Sequence, residues 1–360
     1  MRFWPISKCA YGMSQVVKAS RKDLRPVSAF QKVDMIARML KHLSFLPLLA
    51  VTAYASDWVL IRTVDGTQVE GVTLARGFTA ERDRQKSEVK LAGLLSIHNG
   101  MPASDFETGR ITEGITAIQG TDRAARDLAV EELTAIGLPV MTPLLKAYKD
   151  TDQHEPRPLY RLFERIIPSY ADGPDRTLSL VRLKGGDTFR AKISEGTIDV
   201  KPATGEKVSV PWSKIRSLAV RQKAVERSME AHSLRHSTQI EYLDTGVVLT
   251  DGSKVNITTR GFVRLSWDTD SWASDADGLK VPGSPAYKSN MVDGHPFGAL
   301  VGRVGAGGPV FFVGKKAMLS AKGAGRLRLA VNDNAHWQNN IGTFSVKMSA
   351  TDAYDLGDAQ

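Results

Sequence analysis

GALVGRVGAGGPVFFVG, residues 298–314, and AGRLRLAVNDNAHWQNNIGTFSV, residues 324–346, decide how the chain is read. Short apolar runs alternate with glycine-rich turns, the pattern of a two-layer β-structure. Leu327, Leu329 and Val331 alternate with Arg326, Arg328 and Ala330, which predicts a strand with one apolar face. That strand runs into Asn332-Asp333-Asn334. Asn339, Asn340 and Gly342 follow, and then a second alternating strand through Phe344, Val346 and Met348. A loop of oxygen-bearing side chains between two strands could cage a hard cation such as calcium, which takes about six to eight oxygens. The same Asn, Asp and Gly residues are also ordinary turn formers.

Working outward, further pieces fall into order. They are Asp244-Thr245-Gly246-Val247, Gly252-Ser253-Lys254-Val255-Asn256-Ile257 leading to Gly261, Gly298 to Gly305, Val313-Gly314, and Gly325-Arg326-Leu327 running into Asn332-Asp333, closed by Gly342 to Val346. In that order and spacing, residues 238–350 resemble the PA-IL-like galactophilic lectin family of calcium-dependent β-sandwiches. The resemblance implies calcium as cofactor, held by the side chains of Asp333, Asn339 and Asn340. Backbone carbonyls would complete the set, one near Leu265 and one at Ala335 or His336. It also implies a glycan or galactoside-type sugar contacted by Asp333, Asn339, His336 and Trp337. The loop after Asp333 is one residue shorter than the family's, and His336-Trp337 stand where the family carries other residues.

Upstream, Met35–Ala55 has the layout of a secretory signal peptide: Arg38 and Lys41, an apolar run at Leu43–Val51, then small residues at Ala53 and Ala55. Cleavage near Ala55–Ser56 would give an exported protein, whether periplasmic, cell-envelope or extracellular, with no integral span. Residues 1–34 read as a non-native or disordered extension, with Met35 or Met39 as the start. Residues 1–55 hold nine Lys and Arg against Asp23 and Asp34, so most of the chain's net charge of +9 lies there. Nucleic acid is therefore excluded as a partner for the remainder. The one cysteine, Cys9, also lies upstream, so no disulfide is expected.

Asp57–Asn99 reads as a small β-unit around the turn Asp65-Gly66. A related pattern returns at Leu178–Val220 around Gly185-Gly186-Asp187, offset by 120 residues, with Phe78 and Ile198 in equivalent places. Between them Pro102–Asp172 reads as helical. One helix is capped by Thr121 or Asp122, ended by Gly137, and packed through Leu128, Leu133 and Ile136. A second, Met141–Lys149, and a third, Leu159–Ile167, complete a segment that resembles a HEAT-like helical pair. Lys223–His236 reads as a charged linker that a helix could occupy.

The expected fold is thus multidomain and mainly β: a lectin-like, galactose-binding C-terminal β-sandwich, preceded by two small β-barrel-like units flanking a short α-helical segment. The expected order is a β-unit at 56–100, helices at 101–175, a second β-unit at 176–222, a linker at 223–237, the sandwich at 238–350 and a tail at 351–360. The role of the N-terminal units and the assembly state, an oligomer included, stay open.

No catalytic set emerges. The seven His form no metal-ligand spacing, and His98 and His154 fit turn or surface roles better than general-base roles. Asp268, Asp270, Asp275 and Asp277 with Trp267 and Trp272 read either as a sugar-stacking loop or as a solvated loop with anchoring tryptophans. Gly302–Gly308 lacks the Lys-Ser/Thr of a phosphate-binding loop and is too glycine-rich for a strand. The preferred function is an exported carbohydrate-binding protein. A structural envelope or scaffold protein is the alternative, and a glycan-active enzyme comes third.

Overall fold

The computed structural model describes residues 57–150, 178–194, 196–238, 241–266, 272–279, 292, 294–334 and 337–357. The leader and the expected third helix at 159–167 lie outside them. The chain is mainly β, as expected. The strands are β1 Asp57–Thr63, β2 Gln68–Thr73, β3 Gly77–Arg82, β4 Gln85–Lys90, β5 Leu94–His98, β6 Ser179–Leu183, β7 Thr188–Ile193, β8 Thr197–Lys201, β9 Val208–Pro211 and β10 Ile215–His232. They continue with β11 Leu243–Leu249, β12 Lys254–Arg264, β13 Ala273–Ser274, β14 Leu300–Val304, β15 Phe311–Phe312, β16 Lys316–Ser320, β17 Gly325–Val331 and β18 Ile341–Asp355.

The two repeated segments start with the same hairpin. Thr63 N–H bonds Thr67 O and Gly66 N–H bonds Thr63 O. In the second copy Leu183 bonds Asp187 and Gly186 bonds Leu183 in the same way. Gly66 and Gly186 take φ of 82° and 90°, a backbone that favours glycine.

Neither copy closes on itself. β1 pairs with β10, Ile61 facing Leu218, and its equivalent β6 pairs with β5, Val181 facing Ile97. β3 pairs with β7 through Ala80 and Ile193, while β8 pairs with β2 through the equivalent Val200 and Thr73. The two copies join where β10 meets β5, at Leu218 and Ile97. The resulting order, β9-β8-β2-β1-β10-β5-β6-β7-β3-β4, reads the same from either end, so the copies are exchanged about a pseudo-two-fold axis. Among the described residues β9 and β4 do not pair, and the ladder stays open. The expected pair of barrel-like units is therefore wrong. A five-strand copy alone leaves the edges of β1 and β5 bare, and pairing with the other copy satisfies them. One core serves both, holding Ile61, Phe78, Val181, Ile198 and Trp212.

The expected separate C-terminal β-sandwich is corrected for the same reason. β18 pairs with β12 and β11 and also, from Thr343 to Tyr354, with β10. All 18 strands thus belong to one hydrogen-bonded network. Residues 223–232, read as linker, are strand: Val225 and Ala231 are buried, while Lys223, Glu226 and Glu230 are exposed. Charges suit a strand whose far side has no partner among the described residues. Of the run Gly302–Gly308, read as too glycine-rich for a strand, 305–308 lie outside the strands, but Gly302 lies inside β14, where the Phe311 ring packs 2.7 Å from where a Cβ would stand. The C-terminal core gathers Val255, Ile257, Leu265, Leu329, Val331, Phe344 and Val346.

Among the described residues the insertion carries three α-helices: α1 Asp105–Gln119, α2 Arg123–Ile136 and α3 Met141–Asp150. Asp122 caps α2 and Gly137, at φ 75°, ends it, as expected. Its buried face is Ala129, Leu133 and Ile136. Leu128, expected there, is exposed, because it lies one position off the i, i+4 stripe. Ser104 and Glu107 form a capping box on α1. Glu107 also accepts from Arg216 of β10, at 2.7 and 2.6 Å. Arg216, fully buried, gives its other hydrogen bonds to the carbonyls of Asn99, Met101 and Pro102. A buried pair that loses one partner leaves a charge that water cannot reach. Arg216→Met is predicted to destabilise the protein by about 3–5 kcal/mol in urea unfolding.

Candidate functional site

β17 delivers Asn332 and Asp333 into the interior. The Asn332 amide donates to the carbonyls of Val292, His295 and Pro296 at 3.3, 3.1 and 3.2 Å, and its oxygen accepts from Val292 N. It pins the approach to β14 beside the loop. Thr238 fixes the backbone of Asp333 from the other side, donating to its carbonyl and accepting from its N–H at 3.2 and 3.1 Å.

The Asp333 carboxylate is buried, and one oxygen accepts from Asn334 N at 2.7 Å. A single helical turn, Trp337–Asn339, then carries the chain to Asn340. Asn339 is half-buried and Asn340 buried. The Asn340 Nδ2 group donates to Ser233 O at 3.2 Å and to Asp333 Oδ2 at 2.5 Å. Its Oδ1 is sealed from solvent with no hydrogen-bond partner among the described residues. Leaving such an oxygen unsatisfied costs about 1–3 kcal/mol. Asp333 and Asn340 carry oxygen donors of the class a hard cation takes, with the amide turned so that Nδ2, not Oδ1, faces the carboxylate.

Leu265, the expected carbonyl donor, follows directly on β12, whose last residue Arg264 pairs with Ile341. Its side chain fills the core while its N–H bonds Trp272 O. Ala335 and His336 lie outside the described residues, and Trp337 opens the helical turn. Among the described residues no cluster of three or more His, Cys, Asp or Glu side chains is placed to hold a metal. The Asp333 set has one carboxylate and two amides, a different donor class. The supporting residues Ser233, Thr238 and Asn332 carried no usable signal, since nothing local says which neighbour a polar side chain will meet.

The second acidic loop divides. Asp275 and Asp277 pair with Lys315 Nζ at 2.5 and 3.4 Å, and Asp277 also accepts from Lys315 N. Hydrogen bonding to Asp275, with its charge and that of Asp277, holds the Lys315 ammonium above its usual pKa. Trp272 packs edge-on to Phe297, with ring centroids 5.8 Å apart, and so anchors the loop. Trp267, Asp268 and Asp270 lie outside the described residues, as does His154.

No single helix among the described residues is long and apolar enough to cross a membrane. His98, weighed as a general base, faces an internal cavity from β5 and bonds Ile136 O through Nε2 at 3.2 Å. Burial, with the Arg216 charge behind it, brings its pKa down to about 3. The folded protein therefore keeps His98 neutral, whereas the unfolded chain takes up its proton below about pH 6.5. Stability is predicted to fall as pH drops from about 6.5 towards 3, by on the order of 1 kcal/mol per unit from this group. His98→Gln should flatten that slope in urea unfolding at stepped pH.

No family model and no curated protein matches the chain. Among solved structures, part of it is similar to the EclA N-terminal domain, a PllA-like lectin. The match has 21% identity and a TM-score of 0.28, and covers 36% of this chain and 98% of that one.

Proposed function

We propose that the C-terminal strands carry a calcium-dependent carbohydrate-binding site, and that the protein acts as an exported glycan-binding protein. Asp333, Asn339 and Asn340 would hold the ion with a carbonyl at Leu265. The observation that carries the reading is the buried Asn340 amide, whose Nδ2 meets the Asp333 carboxylate while its Oδ1 has no hydrogen-bond partner among the described residues. The motif order over 238–350 supports it from the sequence side. When bound, calcium would supply a positive centre that accepts hydroxyl oxygens of a galactoside-type sugar.

The chain's own part is to hold the donors still. Thr238 and Asn332 fix the backbone entering the site. The Nδ2 group of Asn340 now faces Asp333, so joint ligation requires the amide to present its oxygen there instead. Asp333, Asn339, His336 and Trp337 are the proposed sugar contacts. Export rests on the charged, apolar and small-residue layout of Met35–Ala55.

The same pair favours a second reading, in which these strands serve only as an envelope scaffold. The Asn340 amide already gives Asp333 a hydrogen bond, standing in for a cation. Calorimetric titration of the full chain with calcium, then with galactose and a glycan panel, separates the two. Saturating calcium at about 100 times Kd should stabilise the fold by ~2.7 kcal/mol. Asp333→Ala and Asn340→Ala should each abolish the calcium heat and the sugar response. A folded wild type that gives no calcium heat would leave the scaffold reading.

A further inference from the structure

The strands β2, β1, β10, β5 and β6 present two faces. One carries the N-terminal core, through Val59, Ile61, Ile97 and Leu218. The other, the face of Arg62, His98, Arg182 and Ala219, lies beneath α2 and the C-terminal strands and lines a cavity of about 480 Å³. That volume suits a small organic ligand.

The pseudo-two-fold axis makes Arg62 and Arg182 equivalent, 120 residues apart on the same face. Their surroundings differ. Arg182 donates to Leu356 O at the end of the chain's last strand. The Arg62 side chain makes no hydrogen bond or ion pair with any described residue. Other charges at the cavity have partners within the protein. Glu70 accepts from Tyr354 Oη at 2.8 Å and from Arg221. Glu131 accepts from Ala306 N at 2.9 Å, and Arg326 reaches Asp244 at 3.1 Å. Burial weakens the hold of Arg62 on its proton, and the Arg326 charge adds to this, against the opposing pull of Glu132 and Glu131. The Arg62 side chain is part-buried and lines the cavity, with Glu132, Glu107 and Glu131 near enough only to act through their charge. The planar guanidinium fork matches an oxyanion.

We propose that this cavity binds a small organic anion whose carboxylate or phosphate group is taken by Arg62, with Arg326 beside it. Leu60, Leu180 and Ala219 give the floor an apolar component, so the body of the ligand is partly apolar. The site is separate from the Asp333 loop and does not depend on calcium.

The test is thermal unfolding of the full chain in EDTA with benzoate, phenyl phosphate or inorganic phosphate. Neutral benzamide and sodium chloride at matched ionic strength are the controls. Benzoate or phenyl phosphate should raise Tm where benzamide and salt do not, and the stronger of the two names the oxyanion. Arg62→Met should lose that rise while its own Tm without anion is unchanged or higher, because the side chain gives up no hydrogen bond or ion pair with the described residues. Arg62→Lys, which keeps the charge but not the fork, should retain a weaker rise. A wild type that answers all probes like sodium chloride would overturn the proposal. So would an Arg62→Met protein that still responds, or one with a lowered Tm in the absence of anion.

Discussion

A strand of 18 residues must satisfy its backbone hydrogen bonds along its whole length, and in this protein no single neighbour does so for β10. Its first third lies between β1 and β5, and the rest runs along β18. The exchanged N-terminal ladder and the C-terminal strands are thereby one network. Arg216 on the same strand adds the helices, since its guanidinium binds the carboxylate that caps α1. A change to β10 is therefore felt in all three parts.

Exchange between two copies of a short β-unit explains how segments of so few residues bury a core without a disulfide. Each copy lends its last strand to the other's first, so the apolar sides of both face one interior. Duplication also yields pairs of equivalent positions that are free to diverge. Phe78 and Ile198 stay in the core together. Arg62 and Arg182 have parted: the second is used by the chain's own C-terminal end, and the first looks into a cavity.

Local geometry was legible in the sequence. The hairpins at Gly66 and Gly186, the cap at Asp122, the stop at Gly137 and the alternating runs ending at Val331 and Met348 follow from residue chemistry over a few positions. Partner choice was not. A strand's alternation says which face is apolar but not which strand lies beside it, so two copies at a fixed offset read as two separate units. The charged end of β10 read as a linker because an exposed edge and a solvated helix share a composition. Leu128 misled because one residue's rotation on a helix decides burial. At the candidate site, Asp333, Asn339 and Asn340 stood out as oxygen donors. The orientation of the Asn340 amide depends on Ser233, more than a hundred residues away.

The central functional claim is that Asn340 and Asp333 share a cation. A crystal structure of the full chain grown with calcium tests it most directly. The account predicts an ion ligated by Asp333, Asn339 and the Asn340 side-chain oxygen, with the Nδ2–Asp333 hydrogen bond broken. Crystals saturated with calcium in which that hydrogen bond persists and no ion lies at Asp333 would contradict it.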